Sequence, residues 1–232
     1  MEEDVWQLLE KEIVHCVKCP RLVRWRTTIA NNPPKRFKEC RYWSKPLTGF
    51  GDKNGSILIL GLAPAAHGGN RTGRMFTGDD SGKTLISVLY DVGLANQPHS
   101  TSLNDGLKLR NVYITAVLKC APPKNKPTFG ELENCRPFLL RELHLLRNMK
   151  VIVCLGRIAY ENLLKAYKLK MFIVEDVKFS HGASCKLSSK EGIQITVLAS
   201  YHPSRQNVHT GRLNTNMLGE VFKEAVDIVR KA

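Results

Sequence analysis

The sequence predicts an α/β fold: a short, mostly parallel four-stranded sheet flanked by helices on both faces. Three observations carry this. Apolar runs recur at ILIL (57–60), VYITAVLKC (112–120), VIVCLG (151–156) and IQITVLASYHPS (193–204), and the first of them, with β-branched and leucine side chains and no alternation, suits a strand covered on both faces. Helical patterns separate the runs, and alternating strands and helices give parallel pairing with helices above and below. The first run opens into a glycine-rich stretch, 61–82, at the carboxyl end of its strand, where open α/β sheets place their ligands.

In chain order, Val5, Leu8, Leu9 and Ile13 recur at helical spacing, so about 3–15 form an amphipathic helix that delivers Cys16 and Cys19 at its end. No period is visible over 26–55, which carries seven basic residues and the aromatics Phe37, Tyr42, Trp43 and Phe50. Interleaved basic and aromatic side chains suit either a track for a phosphate backbone with stacked bases or an ordered surface loop. After the first strand, 61–82 holds six glycines, two arginines, two aspartates, one histidine and one proline. A helix follows over 81–92, stopped by Gly93, and 95–110 is a polar loop. Thr128 and Glu131 form a capping box for a long helix that runs to about Arg147 and carries Cys135 near its start. A further helix extends to about Ala166 after the third strand, and a last one covers about 214–230.

At 232 residues and 43% hydrophobic content the chain can bury one sizeable core, so residues 1–232 are expected to form a single domain. Lys and Arg number 35 against 21 acidic residues, and the net charge of +14 favours a polyanionic partner such as nucleic acid, with solubility as the plainer use. No apolar run approaches the ~20 residues of a membrane span. The N-terminus MEEDVWQLLEKE is acidic where a signal peptide would be basic, so an intracellular protein with no membrane partner is expected. Seven cysteines then argue for metal or redox chemistry over a disulfide scaffold. Cys16 and Cys19 form a C-x-x-C, Cys120 and Cys135 bound the segment CAPPKNKPTFGELENC, and Cys40, Cys154 and Cys185 have no such partners.

The loops after the first, second and fourth strands share one edge of the expected sheet. They bring Phe76, Asp79, Arg71 and Arg74 from the first, Asn125 from the second, and His202, Ser204 and Arg205 from the last. An acid, an aromatic plate, an amide and an imidazole around a basic mouth suit the reading or removal of a flipped-out base. Each also has a structural reading: Asp79 as the cap of the helix near Ser81, Phe76 as an anchor of the loop, Asn125 as a turn former and His202 as a packed histidine. A nucleotide loop is the rival at 78–84. It has three residues between its glycines where the phosphate-binding motif needs four, and two aspartates that would repel a triphosphate.

The segments GLAPAAHGGNRTGRMFTGDDSG, CAPPKNKP and HPSRQNVHTGRL resemble the three motif regions of family 5 (type B) uracil-DNA glycosylases, a family found mainly in thermophilic archaea and bacteria. The resemblance runs from the Cys16/Cys19 pair to the terminal helix. It implies a uracil-DNA glycosylase-like fold with an iron-sulfur-bound N-terminal segment, and a structural [4Fe-4S] cluster on Cys16, Cys19, Cys120 and Cys135. Four thiolates also suit zinc, and spacing alone does not separate the two. Related families place an acidic or amide residue directly after the first strand, where Leu62 and Ala63 stand here, so the resemblance points to Asp79 as the carboxylate, with Asp80 as the neighbouring alternative. Ala116 occupies the place of a base-reading asparagine in several relatives, which leaves Asn125 for that role. On this reading Asp79 and His202 are catalytic, Phe76, Asn125, Ala63 and His67 bind the substrate, and Arg71, Arg74, Ser204 and Arg205 bind DNA.

The activity so implied is hydrolytic removal of uracil, and of other deaminated or damaged bases, from DNA. No lysine is placed as a Schiff-base nucleophile, so a monofunctional enzyme that leaves an abasic site is expected. A monomer in a prokaryotic cytoplasm is expected to carry it out. The alternative is a non-catalytic nucleic-acid-binding protein with a structural four-cysteine metal site, which would tolerate loss of Asp79.

Overall fold

A computed structural model describes residues 2–231. Its centre is four parallel strands, β2 (Ile57–Gly61), β3 (Val112–Ala116), β4 (Val151–Leu155) and β7 (Gln194–Ser200), in the spatial order β3-β2-β4-β7. Helices cover both faces of this sheet: α1 (Glu2–Val14), α2 (Pro20–Asn31), α5 (Phe129–Leu145) and α6 (Arg157–Leu169) on one, α4 (Asp80–Asp91) and α8 (Thr215–Lys231) on the other. The period of a strand divides the core between the two layers. Leu58 and Leu60 face Leu9, Leu139 and Leu163, while Ile57 and Ile59 face Leu85, Leu89 and Phe222. All five residues of β2, β3 and β4 are therefore buried, which is why those runs carry no alternation.

The sheet is wider than the sequence predicts, with seven strands and mixed pairing. β1 (Phe50–Gly51) adds antiparallel to β3 at one edge, and β6 (Ser184–Ser188) and β5 (Ile173–Val174) extend the other edge antiparallel. β1 and β5 have two residues each, too few to show a period. β6, SCKLS, buries only Cys185 and Leu187 in alternation and pairs with β7 through a hairpin whose turn ends at Gly192 (φ 85°).

Two local expectations also need correction. α1 buries Trp6, Leu9 and Ile13, whereas Val5 and Leu8 stand exposed, so the packed stripe lies beside the one the periodicity suggested. The stretch without a period begins halfway along α2, whose buried residues are Leu22 and Arg26. The other expected helices, and the Thr128–Glu131 capping box, are present. No helix of the described residues is long and apolar enough to cross a membrane.

Candidate active site

The carboxyl end of β2 releases the glycine loop, which contains α3 (Gly69–Thr72) and ends at the start of α4. The carboxyl end of β7 leads through His202-Pro203-Ser204 into α7 (Arg205–His209), and β3 leads to a turn at Pro123–Asn125. These three loops enclose a pocket of about 260 Å³ lined by Ala63, Phe76, Asp79, Asn125, His202 and Ser204, together with Leu62, Pro64, Ala65, Met75 and Ser81.

Asp79 sits at the floor as the cap of α4: its Oδ1 accepts a hydrogen bond of 2.9 Å from the Gly82 amide. Capping satisfies a helix donor and also fixes the carboxylate. Burial raises its pKa above the usual carboxylate range, opposed by donation from the Gly82 and Ser81 amides; Asp80 adds to the rise and Arg71 offsets it. A Cβ at Gly68 would overlap Asp79 Oδ2, so only glycine leaves room for the acid. Asp80, one residue on, is exposed outside this pocket.

Phe76 holds φ at 50°, which turns its ring across the end of β2; a Cβ at Gly61 would lie 2.9 Å from its Cζ. The ring stacks against His202 with centroids 6.1 Å apart and planes at 29°. His202 is half-buried, and desolvation lowers its pKa to about 4. The imidazole is therefore neutral near pH 7, a hydrogen-bond donor without charge. Its position is braced through its carbonyl, which accepts from Asn207 Nδ2 and the Ser204 amide, both at 2.8 Å. Ser204 caps α7 by accepting from the Asn207 amide. Asn125 is exposed and sits in a left-handed turn, with φ 53° at Lys124 and 55° at Asn125.

Other expected residues lie elsewhere. His67 bonds Tyr42 Oη through Nδ1 at 2.8 Å and packs beside Phe37, outside the pocket. Arg71 donates to the carbonyls of His67 and Gly78 and lies 4.2 Å over the Phe37 ring, so it ties the loop together. Arg74 is 6% exposed and paired with Asp105 at 2.7 Å, with further donation to Thr77, Ser100 and the Leu103 carbonyl; it is not available to a phosphate. Of the expected phosphate-binding arginines, Arg205 is the one that is exposed, in a groove with Arg36, Lys83 and His209 and 4.0 Å from Asp80. Sequence reasoning missed Met75 and Ser81, although both flank residues it singled out.

Cys16, Cys19, Cys120 and Cys135 line one further cavity, between the end of α1, the start of α2, the segment after β3 and α5. None of the four is in a disulfide. Three of the sulfurs accept N–H donors: Cys135 from the Lys119 amide at 3.3 Å, Cys120 from Arg26 at 3.1 Å and Cys19 from Asn134 at 3.7 Å. Such donors suit thiolate ligands, and the donor set fits a four-thiolate centre. Cys154 and Cys185 are buried in the core, away from this cavity.

Comparison with known proteins gives one answer. The profile of the uracil DNA glycosylase superfamily matches residues 48–226. The chain is 45% identical over 213 residues to the type-5 uracil-DNA glycosylase of Pyrobaculum aerophilum, covering 92% of this chain and 88% of the relative. It is 47% identical over 210 residues to that of Thermus thermophilus, covering 90% and 92%. The type-4 uracil-DNA glycosylase of Archaeoglobus fulgidus is more distant, at 34% over 157 residues, covering 67% and 69%.

Proposed function

The chain belongs to the uracil DNA glycosylase superfamily, and we infer that it is a DNA-repair enzyme that removes uracil by hydrolysing the bond between the base and deoxyribose. One observation carries the site assignment: Asp79, Phe76, Asn125 and His202, drawn from three loops, line one pocket at the carboxyl edge of the sheet. A pocket of about 260 Å³ suits a single base taken out of the stack.

As the glycosidic bond lengthens, positive charge grows on the sugar and negative charge on the departing base. Asp79, ionised and held by the α4 amides, opposes the first charge and orients or deprotonates the attacking water. His202, neutral, donates a hydrogen bond to a carbonyl oxygen of the base, and serves the leaving group without taking up a proton in the resting enzyme. Phe76 stacks on the base and Asn125 meets its polar edge at the mouth. Arg205 contacts a backbone phosphate, aided by the +14 charge of the chain. No lysine is among the described residues that line the pocket, which supports a monofunctional enzyme leaving an abasic site. Action as a monomer is part of this proposal, and the range of bases is taken to include other deaminated ones.

The four cysteines would hold a structural [4Fe-4S] cluster. Four cysteines that share one cavity suit either that cluster or zinc, and the likeness to the type-5 enzymes favours iron. Its contribution is to join α1 and α2 to the segment after β3, with no redox step in base removal.

The test is incubation of purified protein with a uracil-containing oligonucleotide, followed by alkali. Strand breakage at the uracil position after alkali, and not before it, is expected. An intact oligonucleotide, with binding retained, would instead indicate a DNA-binding protein without catalysis.

A further inference from the structure

Four cationic side chains are buried in the described structure: Arg26, Arg74, Lys119 and Arg136. Three have a carboxylate partner, in Asp105, Glu142 and Glu133 respectively. Arg26, on α2, is the exception. It is 6% exposed and has no ion-pair partner among the described residues. Its Nη1 points at Cys120 Sγ at 3.1 Å, its Nη2 reaches the Cys16 carbonyl at 3.5 Å, and its Nε has no hydrogen-bond partner. A guanidinium does not give up its proton, so this is a full positive charge out of water, and burial of such a charge requires a compensating anion. Neither group it donates to is a carboxylate.

Four thiolates around zinc or around a [4Fe-4S] core leave a net negative charge, located where Arg26 points. We propose that Arg26 is the counter-cation of the four-cysteine metal centre, a positioning residue that holds Cys120 and offsets the centre's charge. The inference rests on the metal reading given above, but it is indifferent to which metal binds. It also accounts for a buried arginine on α2, whose other buried residue is Leu22. The guanidinium fork contacts Cys120 and the backbone of Cys16, and so links two of the four ligand segments through a third element, α2.

The experiment compares anaerobically purified wild type, Arg26→Met and Arg26→Lys. Iron and zinc per chain are measured, then the rate of metal release to excess chelator, and, where iron is present, the midpoint potential of the centre. Arg26→Met removes the charge at similar volume and should release metal at least about tenfold faster. Its reduced form should be disfavoured by about tenfold, a fall in midpoint of about 59 mV for one electron. Arg26→Lys keeps the charge and should stay within about threefold of wild type in release rate, and it decides the matter if Arg26→Met fails to fold. Wild-type release rate and potential in Arg26→Met would overturn the inference, as would Arg26→Lys behaving like Arg26→Met, which would indicate packing in place of charge. Wild-type protein holding neither iron nor zinc would remove the metal reading itself, an outcome read before any variant is compared.

Discussion

Asp79 Oδ2 lies in the space that a side chain at Gly68 would fill, so the position of the acid depends on a residue eleven places earlier having no Cβ. The other oxygen, Oδ1, is fixed by the Gly82 amide. The carboxylate is thus held from both sides, by absence of bulk and by a hydrogen bond.

Gly68→Ala should therefore displace Asp79 without touching it chemically. Misplacing a catalytic group by ~1 Å can cost ~10²-fold, and a loss of that order in single-turnover excision is expected, with DNA binding little changed. Unchanged excision would mean that the carboxylate tolerates displacement.

The buried Arg74–Asp105 pair is a structural link between the glycine loop and the polar loop before β3. Asp105→Ala leaves Arg74 buried and unpaired, so a loss of about 3–5 kcal/mol in unfolding free energy is expected from denaturant titration. The wild-type pair should also be acid-sensitive. Donation from Arg74 and three backbone amides holds the Asp105 carboxyl at about 2, below its ordinary 3.8. The unfolded chain binds the proton first, so this stability is present above pH 4 and is lost as pH falls towards 2, a loss absent from Asp105→Ala.

Arg205 gives the opposite signature. It is exposed and only loosely associated with Asp80, so Arg205→Ala should leave stability within about 0.5 kcal/mol of wild type. The slope of log affinity for DNA against log salt should fall by roughly one unit if one phosphate contact is lost. Arg74→Ala should instead lower stability and leave that slope unchanged.

Four parallel strands and most helices were legible because β2, β3 and β4 are buried on both faces along their length and β7 over its carboxyl half, and each of those helices has a cap or a periodic stripe. The pocket was legible for the same reason: Asp79, Phe76, Asn125 and His202 follow the carboxyl ends of three of those strands. The edge strands were not, since β1 and β5 have two residues each and β6 is half exposed. α2 escaped because one of its two buried residues is Arg26, which breaks any hydrophobic period. Arg74 was misassigned because its partner, Asp105, lies 31 residues later in a polar loop, and charge alone does not say whether an arginine faces solvent or an acid. His67 and Arg71 belong to the right loop but turn towards Tyr42 and Phe37, a side-chain choice made by tertiary packing.

The neutral state of His202 predicts a pH dependence of stability. Its pKa is about 4 when folded against an ordinary 6.5, so between these values the unfolded chain binds more protons. Stability from this residue is complete above pH 6.5 and declines as pH falls towards 4. Denaturant midpoints measured across that window should fall less steeply in His202→Gln than in wild type.

In the proposed mechanism the Asp79 carboxylate, and not merely its capping of α4, drives base removal. Asparagine caps a helix about as well as aspartate, so Asp79→Asn keeps the loop and discards only the charge. Single-turnover excision of uracil from an oligonucleotide measures the difference directly. A fall of roughly 10²-fold or more is expected, with DNA binding and thermal stability close to wild type. Excision at the wild-type rate in Asp79→Asn would contradict it, and a loss seen instead in Asp80→Asn would move the role one residue along the chain.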